Sequence, residues 1–152
     1  VYIRVARPVC EDITTEDTPF IPGKANILKD GNDVCIITMG LMVPIVLKAA
    51  EMLEAEGISA AVVNMHTVKP IDAETILAMN EKCKGIVTAE EHSVIGGLGS
   101  AVAEVLAGHA GAKFERVGIQ DKFGKSGKPD ELFAADVITA ENIVEKCKAT
   151  LA

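Results

Sequence analysis

The 152-residue chain is short of the groups that advertise a partner or a reaction. No uncharged apolar stretch reaches the roughly 18 residues that a membrane helix needs, so no span is expected. Fifteen Lys and Arg stand against 22 Asp and Glu, for a formal charge of −7. The cations are scattered, whereas a nucleic-acid binder needs them gathered into a basic patch, so that partner is set aside. Cys10, Cys35, Cys83 and Cys147 form no C-x-x-C, which speaks against a redox pair and against a paired-cysteine zinc site. The last three fall on apolar runs and read as buried free thiols. No signal peptide is evident, so a reducing cytoplasm is the expected location. His66, His92 and His109 lie too far apart in sequence to suggest a metal cluster. Ser100 and Ser126 have neither a nucleophile-elbow context nor an evident base. A starting methionine is also missing, and the opening Val1-Tyr2-Ile3 reads as part of something longer.

Apolar residues make up 49% of the chain, enough for a sizeable core and against disorder. Residues 1–6 are β-branched and aromatic and predict one short strand, stopped by Pro8. Residues 11–22 carry acids, threonines and prolines without periodicity and read as a linker. A lone strand has no sheet to join, so residues 1–24 are assigned to the tail of a preceding domain plus linker, and 25–152 to one domain. In that domain, runs at 25–28 and 33–38 are joined by Lys29-Asp30-Gly31-Asn32, which reads as a hairpin-type connection. Val46, Ala49, Ala50 and Leu53 mark a helix, and residues 58–65 an apolar strand. Asp72 caps a helix bearing Ile76, Met79 and Cys83 on one face. A strand at 85–89 precedes a helix through Leu98, Ala101, Val102 and Val105, and a strand follows at 113–119. A short helix near 130–133 leads to a last one capped by Thr139.

Alternating strands and helices predict an α/β fold: a three-layer α/β/α domain with a mostly parallel, doubly wound sheet. The 25–28 strand is placed antiparallel at one edge. Ligands in such sheets bind beyond the carboxyl ends of the strands. Gly96-Gly97-Leu98-Gly99 lies there, between strand and helix. It offers either an anion cradle of backbone amides or a tight turn with close helix approach. It lacks the G-x-G-x-x-G spacing, and Glu90 and Glu91 beside it would repel phosphate. The tight turn is therefore the favoured reading. Glu90, Glu91, His92, Gly96, Gly97 and Gly99 are read as a loop-ordering or interface group. Lys69 is a further candidate partner for Glu90 or Glu91, and the chain alone shows no complete active site.

In order and spacing, these motifs resemble transketolase over nearly the whole chain. Val1-Tyr2-Ile3-Arg4-Val5-Ala6-Arg7-Pro8 is similar to the last strand of its pyrimidine-binding domain. Thr67-Val68-Lys69-Pro70-Ile71-Asp72 resembles its T-[IV]-K-P-[IL]-D corner. Glu90-Glu91-His92 with the glycine turn, and Ser126-Gly127-Lys128-Pro129 with Glu131-Leu132, complete the likeness. Two departures stand out: His66 where phenylalanine is common, and Met39-Gly40-Leu41-Met42 in place of a small-residue run.

The resemblance implies an enzyme of the pentose phosphate pathway that moves a two-carbon ketol unit between sugar phosphates. It implies thiamine diphosphate and a divalent metal, Mg2+ or Ca2+, in the complete dimeric enzyme, with none of the cofactor held by this part. It implies as partners the remaining transketolase domains or a split N-terminal subunit. Arg7 matches an arginine that contacts the substrate phosphate, and a salt bridge to Glu11 or Asp12 is its plainer alternative. The matching domain of deoxyxylulose-phosphate synthase or of a 2-oxo-acid dehydrogenase β subunit, and a non-enzymatic interaction module, remain as rivals.

Overall fold

The computed structural model describes residues 1–152, the side chain of Asp130 excepted. The elements in chain order are β1 (Asn26–Lys29), β2 (Val34–Thr38), α1 (Met42–Ala55), β3 (Ala60–Asn64) and α2 (Ala73–Lys82). They continue as β4 (Gly85–Ser93), α3 (Leu98–Leu106), β5 (Lys113–Ile119), α4 (Pro129–Ala135) and α5 (Ala140–Leu151). One sheet of order β1-β3-β2-β4-β5 holds all five strands. The last four are mutually parallel, and β1 runs antiparallel to β3 at the edge.

The two-residue alternation of a strand sends β2 side chains to opposite faces. Val34 and Ile36 pack with Val62 and Val87 under Val46, Leu53, Ile143 and Cys147, the faces of α1 and α5. Cys35 and Ile37 pack with Val63 and Ile86 under Ile76, Leu98 and Val102, the faces of α2 and α3. The three-layer α/β/α fold expected from the sequence is therefore the fold observed. Cys35, Cys83 and Cys147 are buried free thiols. Burial pushes Cys35 well up and Cys147 up to about 12, which leaves little thiolate at neutral pH.

Three local expectations need correction. The 29–32 segment makes no hairpin, because β3 inserts between β1 and β2. Its glycine serves the insertion: a Cβ on Gly31 would lie 2.3 Å from the Ala60 carbonyl carbon and 2.4 Å from Ala61 N. Second, β4 runs on to Ser93, so Glu90, Glu91 and His92 lie within the strand and not after it. The extension follows from pairing of Ser93 with Ile119, beyond an irregularity after Ala89. Third, residues 1–6 form no strand, since they meet no partner strand among the described residues. Val1, Ile3 and Val5 are all strongly exposed.

Candidate functional site

β2 is the first strand of the parallel set; α1 leads to β3 on one side and α2 crosses back to β4 on the other. The switch point at the carboxyl ends of β2 and β4 is where such folds bind ligands. Here hydrogen bonds join β2 to the strand ends on both flanks. Thr38 Oγ1 donates to Ala89 O at 2.8 Å, and Met65 N donates to Thr38 O at 2.7 Å on the other flank.

From within β4, the Glu90 side chain reaches under the start of α3, where the residue is 1% exposed. Its Oε2 accepts from Leu98 N at 2.9 Å and its Oε1 from Gly99 N at 2.8 Å. These are two of the amides that a helix N-terminus leaves without an intrahelical partner, and the helix dipole favours a negative charge there. The cradle is thus filled by the chain's own carboxylate. Glycine is required for that seat, because a Cβ on Gly97 would lie 1.9 Å from Glu90 Oε2. At Gly99 it would lie 2.8 Å from both Arg116 Cδ and Thr88 Oγ1. Gly96 turns the chain at φ +76°. Ser100 Oγ then accepts from Gly96 N at 2.8 Å and donates to Val94 O at 3.2 Å. A bound diphosphate does not fit this turn, since it would meet the Glu90 carboxylate at the same two amides.

Glu91 points elsewhere and is 10% exposed. Its Oε1 accepts from Arg4 Nη2 at 2.8 Å and lies 3.5 Å from His92 Nδ1. Its Oε2 is buried without a hydrogen-bond partner among the described residues. Neither Glu90 nor Glu91 pairs with Lys69, so that candidate pairing is withdrawn. Exposed Lys69 precedes Pro70 in a cis peptide bond instead. Arg7 is exposed, and it forms no ion pair with Glu11 or Asp12 among the described residues. His66 Nδ1 lies 2.9 Å from Thr67 Oγ1, and its ring stands 4.7 Å from that of Phe20. No group of three or more His, Cys, Asp or Glu positioned for a metal occurs among the described residues.

The sequence reading missed the joint between Arg4 and Glu91, because 87 residues separate the pair. It also missed what Glu90 does, although its placement of the glycines in a tight turn agrees with their contacts. A groove of about 540 Å³ along the free edge of β5 contains Glu115, Lys122, Asp136 and Lys146. Two charge pairs line it, Lys146 at 2.9 Å from Glu115 and Lys122 at 2.6 Å from Asp136, and Arg116 on the same wall donates to Val94 O at 2.8 Å.

A doubly wound, mostly parallel sheet between two helical layers, with its glycine turn filled by its own Glu90, defines a three-layer α/β domain. The chain belongs to the transketolase C-terminal domain family, whose model, "Transketolase, C-terminal domain", matches residues 23–143. It is 46% identical over 144 residues to a 6-deoxy-6-sulfo-D-fructose transketolase subunit of a Clostridium species, covering 95% of this chain and 45% of that protein. It is 47% identical over 150 residues to a putative transketolase C-terminal section of Methanocaldococcus jannaschii, covering 96% and 46%. A solved structure, described as a split gene transketolase in an inactive beta4 tetramer, superposes with a TM-score of 0.90 at 44% identity. That match covers 95% of this chain and 48% of the other. The chain thus spans a little under half the length of these relatives.

Proposed function

We propose that this chain is the C-terminal part of a split, thiamine-diphosphate-dependent transketolase, and that residues 25–152 serve as its supporting domain. Its relatives include a synthase of 1-deoxy-D-xylulose 5-phosphate from Symbiobacterium thermophilum, 34% identical and matched over 24% of its length. The higher identities to transketolase subunits of about twice this chain's length favour the split transketolase. The observation that carries the supporting role is Glu90, seated where a helix would otherwise offer its amides to an anion. Thiamine diphosphate and its divalent metal then belong to other segments, and the carbanion chemistry is supplied by the cofactor.

Residues 1–24 are assigned to the end of the preceding domain and its linker. In the complete enzyme, a cytoplasmic homodimer of the pentose phosphate pathway, Arg7 holds the terminal phosphate of the sugar with its planar fork of donors. A terminal sulfonate, as the name of the Clostridium relative indicates for that protein, presents the same class of oxyanion.

The isolated chain tests the supporting role directly. Calorimetry with thiamine diphosphate and magnesium should register no specific heat, and sugar phosphates should yield no ketol transfer. Micromolar, magnesium-dependent binding would overturn the assignment. In the complete enzyme, Arg7→Ala should raise the KM of a phosphorylated donor about 10- to 150-fold, the weight of one charge-assisted contact.

A further inference from the structure

The ion pair between Arg4 and Glu91 joins the exposed segment before Pro8 to the end of β4, the strand that also seats Glu90. We infer that Glu91 is a positioning residue for Arg7: it clamps Arg4 and so fixes the short segment that carries the Arg7 guanidinium. This rests on the reading of Arg7 as the phosphate contact.

Three observations support the clamp. The first is geometric. Arg4 and Arg7 are three residues apart, a span of at most about 11 Å of extended chain. Pro8 has its φ fixed by the ring, and a residue before proline is held to extended backbone. In the complete enzyme, where this segment is read as the end of a strand of the preceding domain, the Arg4 anchor fixes how that strand end and the stiff Arg7-Pro8 pair sit against β4. Losing the anchor loosens that seating, and the freedom gained must be lost again whenever a substrate binds.

The second is the state of the carboxylate. Glu91 is nine-tenths buried, an expensive place for a charge unless it is paired. Its Oε1 has Arg4 at 2.8 Å and the His92 ring nitrogen at 3.5 Å. Its Oε2 is buried and unpartnered among the described residues. A carboxylate with one oxygen engaged by the segment and one still open is suited to a second donor from another part of the proposed complete enzyme. The clamp would then lock the boundary from both sides.

The third is the division of labour with Glu90. The neighbouring carboxylate is consumed by the amides of Leu98 and Gly99, which fixes the backbone of β4 at this point. Glu91 therefore projects from a rigid strand end and not from a loop. A rigid support is what a positioning contact needs.

The test uses the complete enzyme assembled with its N-terminal partner, and compares D-fructose 6-phosphate with D-fructose as donors. Arg4→Ala and Glu91→Gln should each raise the KM for the phosphorylated ketose roughly three- to fivefold, the weight of a half-exposed ion pair. The value for D-fructose and the kcat for both donors should hold. The double variant should be no worse than either single one, since both remove the same contact. The charge-reversed pair, Arg4→Glu with Glu91→Arg, should recover at least half of the loss. An unchanged KM in Glu91→Gln, with Arg7→Ala still selective for the phosphorylated donor, would overturn the clamp and leave the phosphate reading standing. Equal losses for both donors in Arg7→Ala would overturn that reading and the clamp with it. Losses for both donors in Glu91→Gln, with Arg7→Ala selective, would identify a merely structural contact and also overturn the clamp.

Discussion

The first turns of α2 and α3 are both closed by buried carboxylates, and the two reach their amides by different routes. Asp72 stands directly before α2. Its Oδ1 accepts from Thr75 N at 3.2 Å, and its Oδ2 from Thr75 Oγ1 at 2.8 Å and from Ala25 N at 2.9 Å. Glu90 sits eight residues before the first amide it binds, with the whole glycine turn between them. The first cap is mostly assembled by the helix that it closes. The second exists only once β4, the turn and α3 are in place. A cap of the first kind stabilises an element; a cap of the second kind fixes one element against another.

Glu90→Ala is the strongest way to sharpen that contrast. It leaves the Leu98 and Gly99 amides buried without their acceptor, and releasing the desolvation cost of the carboxylate offsets only part of the loss. We expect a loss of about 3 kcal/mol in urea unfolding at neutral pH. A loss below about 1 kcal/mol would mean that water replaces the carboxylate without difficulty. Gly97→Ala should approach the same figure from the other side, at about 2 kcal/mol. Its φ of −97° suits any residue, so the penalty is steric, set by a Cβ that would stand 1.9 Å from Glu90 Oε2.

The same contrast accounts for what was legible in the sequence. Asp72 and Thr139 are recognisable because a capping residue lies next to the helix it closes, and apolar periodicity then gives the helix. That both sheet faces are covered also follows from a short-range pattern, the continuous apolar run of which Val34, Cys35, Ile36 and Ile37 are part. Glu90 was not legible in this way. Beside a glycine run its charge reads as an obstacle to phosphate, and only the path of the turn reveals that it serves as the anion. Gly31 misled for a related reason. Asp-Gly is a strong local hairpin signal, but the glycine answers to Ala60 across an inserted strand. The joint between Arg4 and Glu91 also lay beyond any local pattern.

Asp72 should give an intermediate effect with its own pH signature. Burial pushes its carboxyl up, but the hydrogen bonds from Ala25 N, Thr75 Oγ1 and Thr75 N, with the Lys24 charge 3.7 Å away, outweigh burial and hold it below the ordinary value. The folded state therefore binds this proton less readily than the unfolded chain does. The resulting stability is fully present above the ordinary carboxylate range and is lost as pH falls through that range toward the folded value. Asp72→Asn should cost about 1–2 kcal/mol at pH 7, and the gap to the parent should narrow below about pH 4. A gap that stays constant across that range would show that the charge contributes nothing.

Thr139→Ala should have the smallest effect, and it tests the contrast at its local limit. Thr139 Oγ1 accepts one bond, from Asn142 N at 3.3 Å, and reaches no other element through its side chain. Asn142 remains tied by its own amide, which donates to Val137 O at 2.7 Å. Further along, α5 is held by Ile143, Val144 and Cys147, all buried against the sheet, so losing the cap frays at most the first turn. We expect a loss of about 0.5–1 kcal/mol, with the denaturant dependence of unfolding unchanged. The order Glu90, Asp72, Thr139 then follows the number of bonds each side chain makes outside the turn next to it in sequence: two, one and none. If Thr139→Ala costs as much as Glu90→Ala, reach across the fold is not what sets the weight of a cap here, and the local geometry of each first turn must be.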